Sequence, residues 1–205
     1  MKRGCAAAAL AAALLLRAGA AYAHTPVEGI GDFYAGLLHP LVVPEYLITL
    51  VGSGLLLGQQ GAEAARLGLI AFGFTCASGM LLSDLVTLDG LLLHLLLGTA
   101  LLIGGLLAAA LELPRMAPVT IAALTALLIG IDSGRDLTGT VSDLVLLAGT
   151  AISATLVVFY LAAMALALDR PWQRVGIPIV GSWTAASALL VLVLRIAAVP
   201  PAGAG

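Results

Sequence analysis

The stretch GLLHPLVVPEYLITLVGSGLLLG, residues 36–58, sets His39, Pro40, Pro44, Glu45 and Tyr46 at the mouth of an otherwise apolar run. An imidazole nitrogen and a carboxylate oxygen are ligands for a divalent metal ion, whereas a phenol with a pKa near 10 stays mostly neutral and is a harder, oxygen-type donor. Pro40 fits the first helical position, where a missing N–H is harmless, and Pro44 falls inside the first turns. Because Pro44 has no N–H, the backbone carbonyl of Pro40 loses its helical partner and is free to face a ligand or water. Glu45 invites two readings. A carboxylate at membrane depth costs roughly 2.5–3.5 kcal/mol unless paired, which marks a functional residue; at a helix N-terminus the macrodipole favours an acid with no further role.

On a regular helix, at about 100° per residue, His39 and Glu45 would point roughly 240° apart. His39 and Tyr46 would share a face but stand two turns, about 10 Å, apart along the axis. A straight helix cannot gather these groups round one ion. If they act together, the prolines must break the helix so that His39 folds back over the first turn, as discontinuous helices do in transporters.

Further candidates lie along the chain. Cys76, Met80 and Asp84 follow at i, i+4 and i+8, a stripe that is either a metal path or, flanked by Gly73, Ala77, Ser78 and Gly79, a close-packing helix face. His94, five residues after Asp89, is a ligand, a proton carrier or a hydrogen-bonded packing residue. Asp143 either pairs with Arg135 or caps the helix that follows it. Thr150, Ser153, Thr155 and Tyr160 read as interhelical hydrogen-bonding groups. With the acids Asp84, Asp89 and Asp143 these make a second tier of metal ligands behind His39, Glu45 and the Pro40 carbonyl.

The elements that must position these residues are membrane helices. Of the 205 residues 61% are hydrophobic and 10% charged, and mean hydropathy is +1.14, far from the roughly 25% charge of a soluble domain. The opening MKRG, CAAAALAAALLL and AYA are the basic, apolar and small-residue parts of a signal peptide, residues 1–23, whose cleavage after Ala23 would expose His24. The amine and imidazole of His24 would then form a two-nitrogen chelate on the outer face. Loss of Lys2, Arg3 and Arg17 leaves six of nine basic residues against 11 acidic, a net charge of about −5. That balance excludes the clustered basic footprint of a nucleic-acid binder. Cys5 leaves with the signal, so Cys76 has no partner within the chain.

After a short extracytoplasmic segment, 24–40, apolar runs at 41–59, 65–83, 90–111, 116–132, 140–168 and 174–198 are each near or above the length of a span, with a tail at 199–205. The expected fold is therefore all-α, a polytopic helical membrane protein with about six transmembrane helices. With the mature N-terminus outside, Arg66, Arg115, Arg170 and Arg174 fall on the cytoplasmic side, as the positive-inside rule requires. Glu28, Asp32, Asp84, Asp89, Asp132 and Asp136 fall on the outer side, where they either concentrate cations or simply solvate loop ends. A GxxxxGK[ST] phosphate loop, an HExxH pattern and a nucleophile–base pairing are all missing from the sequence, and no enzyme activity is expected.

The signal ending just before HT, followed by GLLHPLVVPEYLITL and a run closing in LLLGQQ, resembles the HupE/UreJ family of membrane proteins, regarded as nickel and cobalt permeases. Its mark is a histidine-proline pair followed by an acid and a second histidine at the start of the first mature helix. His39, Pro40 and Glu45 match, whereas Tyr46 stands where the second histidine would be. RVGIPIVGSWTAASALL echoes the family's last helix. The resemblance implies a secondary-type carrier for a divalent transition metal, nickel or cobalt, in the bacterial inner membrane, with a periplasmic mature N-terminus and no permanently bound cofactor. Losing one imidazole should weaken a nickel site or shift its preference. Partners would be the lipid bilayer, the metal ion, and a second copy or a metalloenzyme-maturation protein. The rival is an accessory protein that moves nothing and uses its small-residue faces to scaffold a metalloenzyme system.

Overall fold

The computed structural model describes residues 31–88, 90–135 and 140–197. The expected signal peptide, His24 and Asp89 lie outside the described residues. In order the helices are α1 (Asp32–Val42), α2 (Pro44–Gln59), α3 (Ala62–Leu82) with a 3-10 turn at Ser83–Leu85, α4 (Leu91–Ala108), α5 (Met116–Gly134), α6 (Val141–Leu166), α7 (Pro171–Arg174) and α8 (Gly176–Ala197). Five spans are long and apolar enough to cross a membrane, and α1 with α2 forms a sixth, broken span bent by 75°. The expected all-α polytopic membrane protein is the fold observed, and five expected spans coincide with helices to within a few residues.

The first span departs from expectation. Pro40 does not start a helix: it lies inside α1, which begins at Asp32, and Pro44 takes the first position of α2 instead. The cause is local. The ring of Pro44 crowds the residue before it out of helical backbone, and Val43 is extended, with φ −86° and ψ 108°. Helix α1 closes on the Val43 N–H, which donates to the His39 carbonyl at 3.2 Å, and α2 opens on the Val43 carbonyl, which accepts from the Leu47 N–H at 3.0 Å.

Around this broken span the bundle closes through small residues. A methyl group added at Gly79 in α3 would stand 2.5 Å from the Leu127 carbonyl of α5, and one at Gly130 would run into the Cys76 carbonyl. The same device joins α4 to α8 at Gly104, where an added methyl would reach the Ala185 nitrogen at 2.5 Å. It also joins α1 to α6, with Gly36 on Leu146 and Gly149 on Phe33. Such approach of backbones is what drives helix association in lipid, where apolar burial gives no advantage. α2 is the innermost helix: Tyr46, Leu50, Leu56 and Leu57 are each at most 1% exposed. Its polar residues are satisfied within the helix, Thr49 Oγ1 donating to the Glu45 carbonyl at 2.5 Å and Ser53 Oγ to the Thr49 carbonyl at 2.8 Å. Outward faces are apolar and bare, with Phe74 74%, Leu81 77% and Trp183 73% exposed, an arrangement stable only against lipid.

Candidate functional site

The break in the first span gathers side chains from both its halves and from α5. His39, in the last turn of α1, packs its ring edge-on against Tyr46 of α2, with centroids 5.5 Å apart and planes 75° apart. On an unbroken helix those two residues would be separated by about 10 Å along the axis. Tyr46 is 1% exposed, and its hydroxyl donates to Asp132 Oδ2 at 2.6 Å. Ser133 Oγ donates to the Tyr46 oxygen at 3.5 Å. The result is a connected set of imidazole, phenol, carboxylate and hydroxyl, drawn from α1, α2 and α5, at one end of the bundle.

Asp132 is the member that the sequence reading left among the outer rim of acids. It sits in the last turn of α5, half-buried. Carbonyl ends make a helix C-terminus unfavourable for a carboxylate, so the hydrogen bond from Tyr46 offsets a local cost. The sequence signal was an acid at the end of an apolar run, IGIDSG, rather than in the loop beyond it.

The other candidates separate into groups. Glu45 stands in the first turn of α2, half-buried, across the break from His39. There the helix dipole favours a carboxylate, the structural alternative foreseen for it. The Pro40 carbonyl belongs to the last turn of α1, and Pro44 cannot donate to it. Asp84 is exposed in the Ser83–Leu85 turn, beside the end of α5. His94 lies in the first turn of α4, and its Nδ1–H donates to the Gly90 carbonyl at 2.5 Å. Asp143 is a helix cap: its carboxylate accepts from the Thr140 N–H at 2.9 Å while its own N–H donates to Thr140 Oγ1 at 3.3 Å. Cys76 and Met80 are buried in the α3–α5 contact beside Gly79 and Gly130, so their part of the stripe is packing. Thr150 does bond between helices, its hydroxyl donating to the Gly36 carbonyl of α1 at 3.2 Å.

Among the described residues no three histidine, cysteine, aspartate or glutamate side chains converge as a ready-made metal cage. What converges is the mixed set round Tyr46, in which phenol and hydroxyl oxygens stand where further imidazoles or carboxylates would complete a cage. An acid-rimmed end with one imidazole, two carboxylates near a helix break and exposed backbone carbonyls offers a cation a few oxygen and nitrogen donors on parts that can move relative to each other.

Comparison with known proteins bears on the whole length. The family model described as HupE / UreJ protein matches residues 12–197. Neither the curated proteins nor the solved structures give a match. The match takes in the broken first span, all five continuous ones and the Tyr46–Asp132 pair between them, and the chain belongs to the HupE/UreJ family.

Proposed function

We propose that this protein carries a divalent transition-metal ion across the membrane, and that the ion enters at the broken first span. The observation that carries the reading is the break itself, which turns His39 onto Tyr46 while Tyr46 holds Asp132 of a distant helix. His39 supplies a nitrogen ligand, Glu45 and Asp132 supply carboxylate oxygens and charge compensation, and the Pro40 carbonyl adds an oxygen. Asp84, Asp89, His94 and the His24 amine-imidazole pair serve as outlying contacts on the way in. Asp143, engaged as a cap, serves the helix. Family membership points to nickel or cobalt as cargo. Tyr46 in place of an imidazole favours a site less selective for nickel.

Metal accumulation in cells, measured by elemental analysis from manganese to zinc, tests this for the wild type, His39→Ala, Glu45→Ala and Asp132→Asn. The wild type is expected to change the content of at least one metal, and each variant to lose most of that change. No metal-dependent difference between wild type and empty vector, with insertion in the membrane confirmed, would assign the chain to the accessory role. Equal accumulation by all variants would retain transport and remove this site.

A further inference from the structure

At the end of the bundle opposite the break, three helices finish side by side. The closing turns of α2 and α6 and the segment just past the end of α4 wall a pocket of about 320 Å³, with Gln59, Gln60, Ala110, Glu112, Ala165 and Arg174 in its lining. Each helix C-terminus presents carbonyls without N–H partners and a partial negative charge, about half an elementary charge. One helix start, the first turn of α8 at Ile177 and Pro178, opposes these three. Glu112 and Arg174 are the charged side chains of the lining, both exposed, and Arg174 Nε is held by the Leu168 carbonyl at 2.9 Å.

Two neighbouring glutamines behave differently there. Gln60 is a clamp: its Nε2 donates to the Leu111 carbonyl at 2.8 Å and its Oε1 accepts from the Leu113 N–H at 2.9 Å, fixing the end of α2 to the chain after α4. Gln59 Oε1 is buried and, among the described residues, accepts no hydrogen bond. Buried acceptors are rarely left so, and one in a pocket wall calls for a ligand. The wall is also held in an uncommon backbone state, since Ala110, with φ 50°, is the one described residue other than glycine at positive φ.

We infer that this pocket is a second cation site, an oxygen-donor station from which the carried divalent ion leaves the bundle. The inference rests on the carrier reading for its place in transport, though not for the binding itself. Its donors are amide, backbone carbonyl and carboxylate oxygens, with no imidazole or thiol in the lining. Oxygen donors hold late first-row ions more weakly than nitrogen and sulfur do, so an ion arriving from a nitrogen-containing site is readily released. Arg174 at the mouth disfavours long occupancy.

Manganese(II) is a suitable probe, because it accepts all-oxygen sites and its free six-line paramagnetic resonance signal disappears on binding. Titration of the full chain in lipid nanodiscs, in wild-type and His39→Ala backgrounds, should show a binding component that persists without the imidazole of the entrance. Gln59→Leu should weaken that component by on the order of tenfold, and Gln59→Glu should tighten it by a similar factor. A misfolded variant cannot produce the second result. Identical binding by wild type, Gln59→Leu and Gln59→Glu, or no manganese bound, would overturn the site. Gln59-dependent binding in a chain that accumulates no metal in cells would keep the site and reject the carrier.

Discussion

Tyr46 is where the chain departs from its family's pattern and where the structure concentrates its contacts. The hydroxyl is both donor to Asp132 and neighbour to the His39 ring, so its removal should be felt in stability before function. Tyr46→Phe keeps the ring and deletes the oxygen, leaving a half-buried carboxylate at a helix C-terminus without its donor. The expected cost is about 1–3 kcal/mol, visible as a lower Tm in detergent. An unchanged Tm would mean that the bond holds nothing together. Tyr46→His tests the other role: with an imidazole restored, accumulation or binding should shift toward nickel relative to manganese. An unaltered preference would show that residue 46 does not set selectivity. The Tyr46–Asp132 pair was not legible in the sequence, because partners 86 residues apart leave no local spacing to read. The residue types were visible, but their meeting was not.

The broken span shows what helical reasoning recovers and what it misses. Two prolines four residues apart mark an interruption, and the steric rule for a residue preceding proline explains why Val43 is the extended one. Apolar periodicity could not place the start of α1, because a helix apolar on most sides gives no stripe to follow. The lipid-length runs were plain for the opposite reason, since sustained hydrophobicity over a whole span needs no period. Pro44→Ala relieves the crowding on Val43 and restores an N–H facing the Pro40 carbonyl. The two half-helices should then straighten and carry His39 away from Tyr46. Spin labels on cysteines introduced at Tyr34 in α1 and Leu81 in α3, both exposed, would report a changed separation, with Cys76 buried and unreactive. An unchanged separation would mean that packing of Gly36 and Gly149 between α1 and α6, and not the proline, sets the bend.

The direction of the whole bundle follows from its charges. Arg66, Arg115, Arg170 and Arg174 lie in or beside the connections α2–α3, α4–α5 and α6–α8, which successive spans bring to one end, whereas the acids Asp32, Asp84 and Asp132 lie at the other. By the positive-inside rule the arginine end, with the Gln59 pocket, faces the cytoplasm and the broken entrance faces outward. An acidic outer end raises the local cation concentration where the ion must enter. The pocket at the opposite end collects helix C-termini because the spans ending there, α2, α4 and α6, all run the same way. Orientation and the proposed direction of travel therefore depend on one another and can fail together. Alkaline phosphatase fused after Gln60 should be inactive and the same enzyme fused after Ala197 active, since it folds only outside the cytoplasm. The reverse pattern would put the Tyr46–Asp132 end inside, make the Gln59 pocket the entrance, and turn the proposed importer into an exporter.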